Sequence, residues 1–121
     1  MLKRAIEEGK LQVQQRCSRA GTCLYRAGQP TERFYLLLEG VATLSIPNLP
    51  HDTLVAQGNL IGIQDLLKEE HSHTAILAED AKFVEIPKQE LLRAIQTMAP
   101  LRLYLMRLMS KQQHLSPLAY E

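Results

Sequence analysis

Between Leu11 and Pro87 the chain is cut into short apolar runs by glycines and other turn residues; after Pro87 the apolar period changes. This switch limits the possible folds most. Runs of about 4–8 residues bounded by turn signals build strands, whereas a 3.6-residue period builds helices. Thr22 to Tyr25 is one run, ended by Ala27-Gly28-Gln29-Pro30. Arg33 to Leu38 stops at Glu39-Gly40. Val41 to Ile46 alternates, with Ala42, Leu44 and Ile46 on one face, until Pro47 and Pro50 break it. Thr53 to Ala56 runs to Gln57-Gly58-Asn59, and Thr74 to Leu77 and Lys82 to Ile86 flank a turn at Glu79-Asp80. Gly62 to Leu67 reads as one or two helical turns. Many short strands at near-regular spacing predict an antiparallel sandwich or barrel.

Helices flank this region. Leu2 to Glu8 predicts a short helix stopped by Gly9. Lys88 to Met98 carries Leu91, Leu92 and Ile95 at helical spacing, and Pro100 suits the first turn of a helix running to about Gln113. On that last helix Leu101, Leu103, Tyr104, Leu105, Met106, Leu108 and Met109 cover more than half of the circumference. One apolar stripe is enough to lie on a barrel, so the second face needs a partner, and a copy of the same helix is the simplest. Leu101, Leu105, Leu108 and Met109 are the expected homodimer contacts. The tail Ser116–Glu121 is expected to fray.

Lys and Arg total 14 against 13 for Asp and Glu, leaving a net charge of +1, too little for a nucleic-acid footprint. With 45% hydrophobic and 22% charged residues the chain is that of a folded domain rather than a disordered one. Aromatics are 5% and tryptophan is absent, so the core is expected to be aliphatic. Cys17 and Cys23 have neither CxxC spacing nor further cysteines, and read as half-buried thiols in a reducing compartment. The N-terminus is charged where a signal peptide needs an apolar run, and no apolar stretch is long enough to span a bilayer. The expectation is a cytoplasmic protein with no membrane contact.

Few residues suggest chemistry. His71 and His73, two apart, would share one face of a strand. Glu69, Glu70 and His51 do not clearly complete a metal site, so the histidines read as solvated loop residues. Ser72 and Thr74 lie near His73 without a third member or an oxyanion hole, so no nucleophile is built. Lys68-Glu69-Glu70 reads as an exposed loop, and Arg102, Arg107 and Lys111 as the wet strip of the last helix. No enzyme is expected.

The order of elements, the glycines at strand ends, and the segments Leu24-Tyr25-Arg26-Ala27-Gly28, Phe34–Val41 and Gly58-Asn59-Leu60-Ile61-Gly62 together resemble the cyclic nucleotide-binding domain family. The family includes catabolite-activator-type regulators, cyclic-nucleotide-gated channels and protein kinase A regulatory subunits. The resemblance covers roughly residues 10–113. It implies a mainly β, jelly-roll-like β-barrel over 10–87, between an N-terminal helix (1–9) and C-terminal helices (88–113), in one domain over 1–121. A DNA-binding domain, which follows at this point in catabolite-activator-type regulators, is not expected within this chain.

The resemblance also implies a phosphate-binding cassette at 58–75, with Leu60, Gly62, Ile63, Gln64, Asp65, Leu66, His73, Thr74 and Ala75 as its ligand-facing positions. In the family a Glu after the second glycine binds the ribose, and an Arg on the next strand pairs with the cyclic phosphate. Here Ile63 stands in the Glu position and His73 in the Arg position, while Asp65 places a carboxylate at the positive helix end. Thr74 and Ala75 match the small pair that follows. The implied function is a regulatory or sensory small-ligand domain, signalling through its last helix and not a tight binder of cyclic AMP or GMP. The alternatives are an empty scaffold for dimerisation or partner binding, and weak cyclic nucleotide binding that strengthens toward about pH 5.5 as His73 gains charge. No cofactor is required; the effector is a cyclic nucleotide or another small molecule. Should the unmodified chain nonetheless bind a cyclic nucleotide at submicromolar concentration, Arg26, Arg33 and Gln64 are the first groups to test.

Overall fold

The computed structural model describes residues 2–113, with side chains described through residue 110. A short helix, α1 (Leu2–Glu7), precedes eight strands: β1 (Gln14–Ser18), β2 (Cys23–Tyr25), β3 (Arg33–Glu39), β4 (Val41–Ser45), β5 (Asp52–Ala56), β6 (Leu60–Ile61), β7 (Thr74–Leu77) and β8 (Ala81–Pro87). A single 3-10 turn, Ile63–Asp65, lies between β6 and β7. Two helices follow, α2 (Lys88–Thr97) and α3 (Ala99–Gln113). The strands form two antiparallel sheets, β1-β8-β3-β6 and β2-β7-β4-β5. The mainly β fold with flanking helices is as expected, as two facing sheets that do not close into a barrel. β1 and the two-residue β6 are strands the apolar pattern does not mark. The tail Ser116–Glu121 and the side chain of Lys111 lie outside the described residues.

Two apolar clusters hold the fold. One lies between the sheets and joins Tyr25, Tyr35, Leu37, Leu44, Leu77 and Phe83. The other packs the outer side of the first sheet and the 3-10 turn against the helices, through Phe34, Leu60, Ile63, Leu66, Leu91 and Leu105. Burying each such side chain is worth about 1.5–3 kcal/mol. The core is less purely aliphatic than composition suggests: His71, Tyr25, Tyr35 and Phe83 contact one another in succession, His71 and Tyr25 stacking with centroids 3.7 Å apart. Glycine is required at Gly40, whose φ of +100° is combined with Asp80 O lying 2.8 Å from where a Cβ would stand.

The last helix corrects one expectation. Leu101 and Leu105 are buried in this chain's own core at 3% and 0% exposure, and Leu108 and Met109 pack half-buried against the same cluster. None of the four faces squarely away from the molecule. Leu103 and Met106, 54% and 53% exposed, form the outward apolar pair. The helix has two apolar faces, and its Leu101 and Leu105 are taken up by this chain's own core rather than left for a second copy. The cysteines also differ from expectation, since Cys17 and Cys23 are both exposed.

Candidate functional site

Gly62 opens the cassette in a left-handed conformation, φ +95°, and a Cβ there would come within 3.0 Å of the Phe34 ring. This turn directs Ile63, Gln64, Asp65 and Leu66 inward, where each is 0–5% exposed. Ile63 and Leu66 join the cluster that contains Leu101 and Leu105 of α3, so the cassette is packed onto the last helix through apolar contact. Leu60 is buried in the same cluster, and Ala75, fully buried, pairs in register with Tyr25 and Leu44 in the second sheet.

Asp65 is the centre of the site. Its side chain has no exposed surface. The carboxylate accepts the Ser72 backbone N–H at 2.9 Å and the Ser72 hydroxyl at 2.9 and 3.0 Å from its two oxygens. Lys68 Nζ stands 3.6 Å away and His71 Nδ1 4.0 Å away. Charge-assisted bonds of this kind are among the stronger ones in proteins. The carboxylate is therefore engaged by the loop that follows the 3-10 turn, through Ser72. Ser72's place seven residues after Asp65 is set by the loop closure and leaves no periodic signal in the sequence.

Around this pair the loop is tied down. His73 Nδ1 lies 2.8 Å from Ser72 Oγ and 3.0 Å from Gln64 Nε2. Thr74 Oγ1 accepts the Ala27 N–H at 3.0 Å. The His71 carbonyl accepts the Gly28 N–H, and the His71 N–H reaches the Gln29 carbonyl. Lys88 Nζ donates to Thr31 Oγ1 and to the Lys68 carbonyl, clamping the end of the cassette to the start of α2. His71 is a buried core residue, 4% exposed, rather than a solvated one. It and His73 sit on the loop before β7, so the strand-face geometry of a metal pair does not arise. Among the described residues no group of three His, Cys, Asp or Glu is placed to hold a metal ion.

Burial is the main reason both imidazoles have pKa values below the ordinary 6.5; Asp65 pulls in the opposite direction, and a nearby lysine adds to the lowering. Burial likewise raises the Tyr25 phenol, with Asp65 adding to it. Tyr25 Oη, Gln64 Oε1 and His71 Nδ1 are buried without a hydrogen-bond partner. The Ser72 hydroxyl is shared between Asp65 and His73 Nδ1. Arg26 and Arg33 are exposed; Arg33 pairs with Glu85 rather than with any cassette group.

The family model for the cyclic nucleotide-binding domain matches residues 15–98. The chain belongs to the cyclic nucleotide-binding domain family. Among proteins of curated function none matches it by sequence. Solved structures share its fold at low identity. The catabolite activator protein of Thermus thermophilus is 21% identical with a TM-score of 0.76, over 93% of this chain and 54% of that one. The sensor domain of a transcriptional regulator from Pseudomonas aeruginosa is 18% identical with a TM-score of 0.69, over 85% and 73%. The regulatory subunit of a cAMP-independent protein kinase A from Trypanosoma brucei is 17% identical with a TM-score of 0.69, over 90% and 37%. The chain spans about half of the catabolite activator protein's length. No helix among the described residues is long and apolar enough to cross a membrane.

Of the positions the resemblance marks, Ile63 joins the helix-facing core, and His73 is bonded inside the loop to Ser72 and Gln64.

Proposed function

We propose that this is a regulatory domain of the cyclic nucleotide-binding family that does not bind cyclic AMP or cyclic GMP tightly and carries its state in the seating of α3 on the cassette. The observation behind this reading is the fully buried Asp65 carboxylate bonded to Ser72. A cyclic phosphate entering the cassette meets a like charge, no guanidinium and no ribose acceptor. Losing two charge-assisted contacts at about 1.5–3 kcal/mol each weakens affinity by three decades or more. Ile63 and Leu66 pack with Leu101 and Leu105 directly, so α3 is seated without a ligand between them. This favours, as a second reading, a scaffold whose cassette is held closed by its own carboxylate. The kinase A subunit from Trypanosoma brucei, described as cAMP-independent, is a relative in fold of which the same independence is stated.

In this reading α3 offers Leu103 and Met106 to a second copy, and the dimer is the unit that acts on a partner. An effector, where one is taken, must draw Asp65 away from Ser72. A thermal-shift screen with cyclic mono- and dinucleotides, linear nucleotides and small uncharged effectors tests it. Cyclic AMP and GMP at about 100 μM are expected to leave the melting temperature unchanged; a shift of several degrees with either would overturn the reading. A shift with an uncharged effector alone supports a diverged sensor, and no response from any compound supports the scaffold.

A further inference from the structure

The inner faces of a β-sandwich are ordinarily apolar, yet one inward-facing corner of the first sheet is charged. Tyr35, Leu37 and Phe83 belong to the core between the sheets. Strand alternation puts Arg33 on the same face as Tyr35, and Glu85 on the same face as Phe83. Arg16 lies opposite Phe83 in the register, and Gln14 opposite Glu85. The second sheet leaves this corner open. Its nearest strand, β2, ends at Tyr25, and Tyr35 Oη reaches only to the Leu24 carbonyl. The result is an open surface groove of about 540 Å³ bordered by Gln12, Gln14, Arg16, Arg33 and Glu85. A smaller one of about 220 Å³ adjoins it through Arg33, runs past Glu32 and Tyr35, and reaches Tyr25 and His71 at the edge of the cassette loop.

We propose that this corner is a second small-molecule site, separate from the cassette, that takes an anionic group through Arg16 and Arg33. Glu85 is the internal stand-in for that group. Its side chain is 11% exposed and lies between two guanidiniums, 2.7 Å from Arg16 Nε and 3.5 Å from Arg33 Nη1. Arg16 Nη2 also donates to Gln14 Oε1 at 3.2 Å, which orients the guanidinium along β1. Arg33, with a 60% exposed side chain, only flanks the carboxylate at 3.5 Å and keeps its planar donors for a second acceptor. Two guanidiniums face one carboxylate in the lining of the larger space, with Glu90 bonded at the Gln12 wall and Glu32 in the adjoining one. The volume of the larger space lies within the range of ordinary ligand sites, about 300–1,000 Å³. A carboxylate or a phosphate satisfies this fork equally well.

The test is a backbone-amide NMR titration of the full chain at neutral pH and constant ionic strength, with succinate in one arm and inorganic phosphate in the other. Saturable shifts centred on Arg16, Arg33 and Glu85 are expected in at least one arm, and the arm that responds names the anion. Arg33→Gln should weaken that binding about tenfold or more, and Arg16→Gln should do likewise if Arg33→Gln fails to fold. Glu85→Gln should tighten it, because the internal competitor is gone. No saturation in either arm up to about 30 mM would overturn the proposal. So would shifts that survive Arg33→Gln and vanish in His73→Gln, which would assign the anion to the cassette.

Discussion

At the scale of single residues, Asp65 and the two histidines beside it decide how the cassette behaves. Asp65 holds Ser72 through both its N–H and its hydroxyl. Asp65→Ala leaves a half-buried N–H and hydroxyl of Ser72 without their acceptor and should cost about 1–3 kcal/mol, read as a lower denaturant midpoint at unchanged slope. An unchanged midpoint would show that the carboxylate contributes nothing to closure. His71 and His73 set a pH dependence. Both have lowered pKa values in the fold because burial disfavours their charged forms, while the unfolded chain takes up its protons near the ordinary value of about 6.5. Below that pH the unfolded state binds more protons. The stability from neutral burial is therefore complete above about 6.5 and lost progressively toward acid. His71→Phe keeps a ring against Tyr25 and removes one titration, so the melting temperature should fall less between neutral pH and about pH 5 than in the unmodified chain. Equal falls would contradict the buried neutral imidazole. The same lowering moves any gain of charge at His73 to a pH below that expected from an unperturbed histidine. A carboxylate within the short helical turn was legible in the sequence. Its partner Ser72 was not, because a contact that closes a loop follows no period.

At the scale of elements, α3 shows what apolar patterning can and cannot say. Two apolar faces are visible in the sequence, but which one meets the fold depends on where Ile63 and Leu66 lie, and no local pattern in α3 carries that. Leu105→Ala should destabilise the monomer by about 2–5 kcal/mol, since its side chain is fully buried. Met106→Glu should leave the monomer within about 0.5 kcal/mol and abolish the proposed dimer. Urea unfolding together with light scattering checks both, and a Met106→Glu protein that unfolds as early as Leu105→Ala would reverse the assignment. Strands β3, β4, β5, β7 and β8 follow their apolar runs and turn residues closely. β1 does not, because Gln-Gln-Arg-Cys-Ser has no alternation and the strand is an exposed edge held only by β8.

At the scale of the whole molecule, the glycine-punctuated order of elements was enough to reach the family, because a backbone frame depends on turns and on the order of apolar runs. The site was legible only as a set of departures at Ile63, Asp65 and His73. What those side chains do instead, one joining the helix core and two closing a loop on Ser72, depends on packing between distant segments. The central claim is that the frame persists with its cassette internally occupied. Isothermal calorimetry of the full chain with cyclic AMP and cyclic GMP at neutral pH tests this most directly. The unmodified chain should bind neither more tightly than about 10 μM, and the double replacement Asp65→Ala, His73→Arg should bind at least one about tenfold better, because it removes the internal anion and supplies a guanidinium. Submicromolar binding by the unmodified chain would contradict the account.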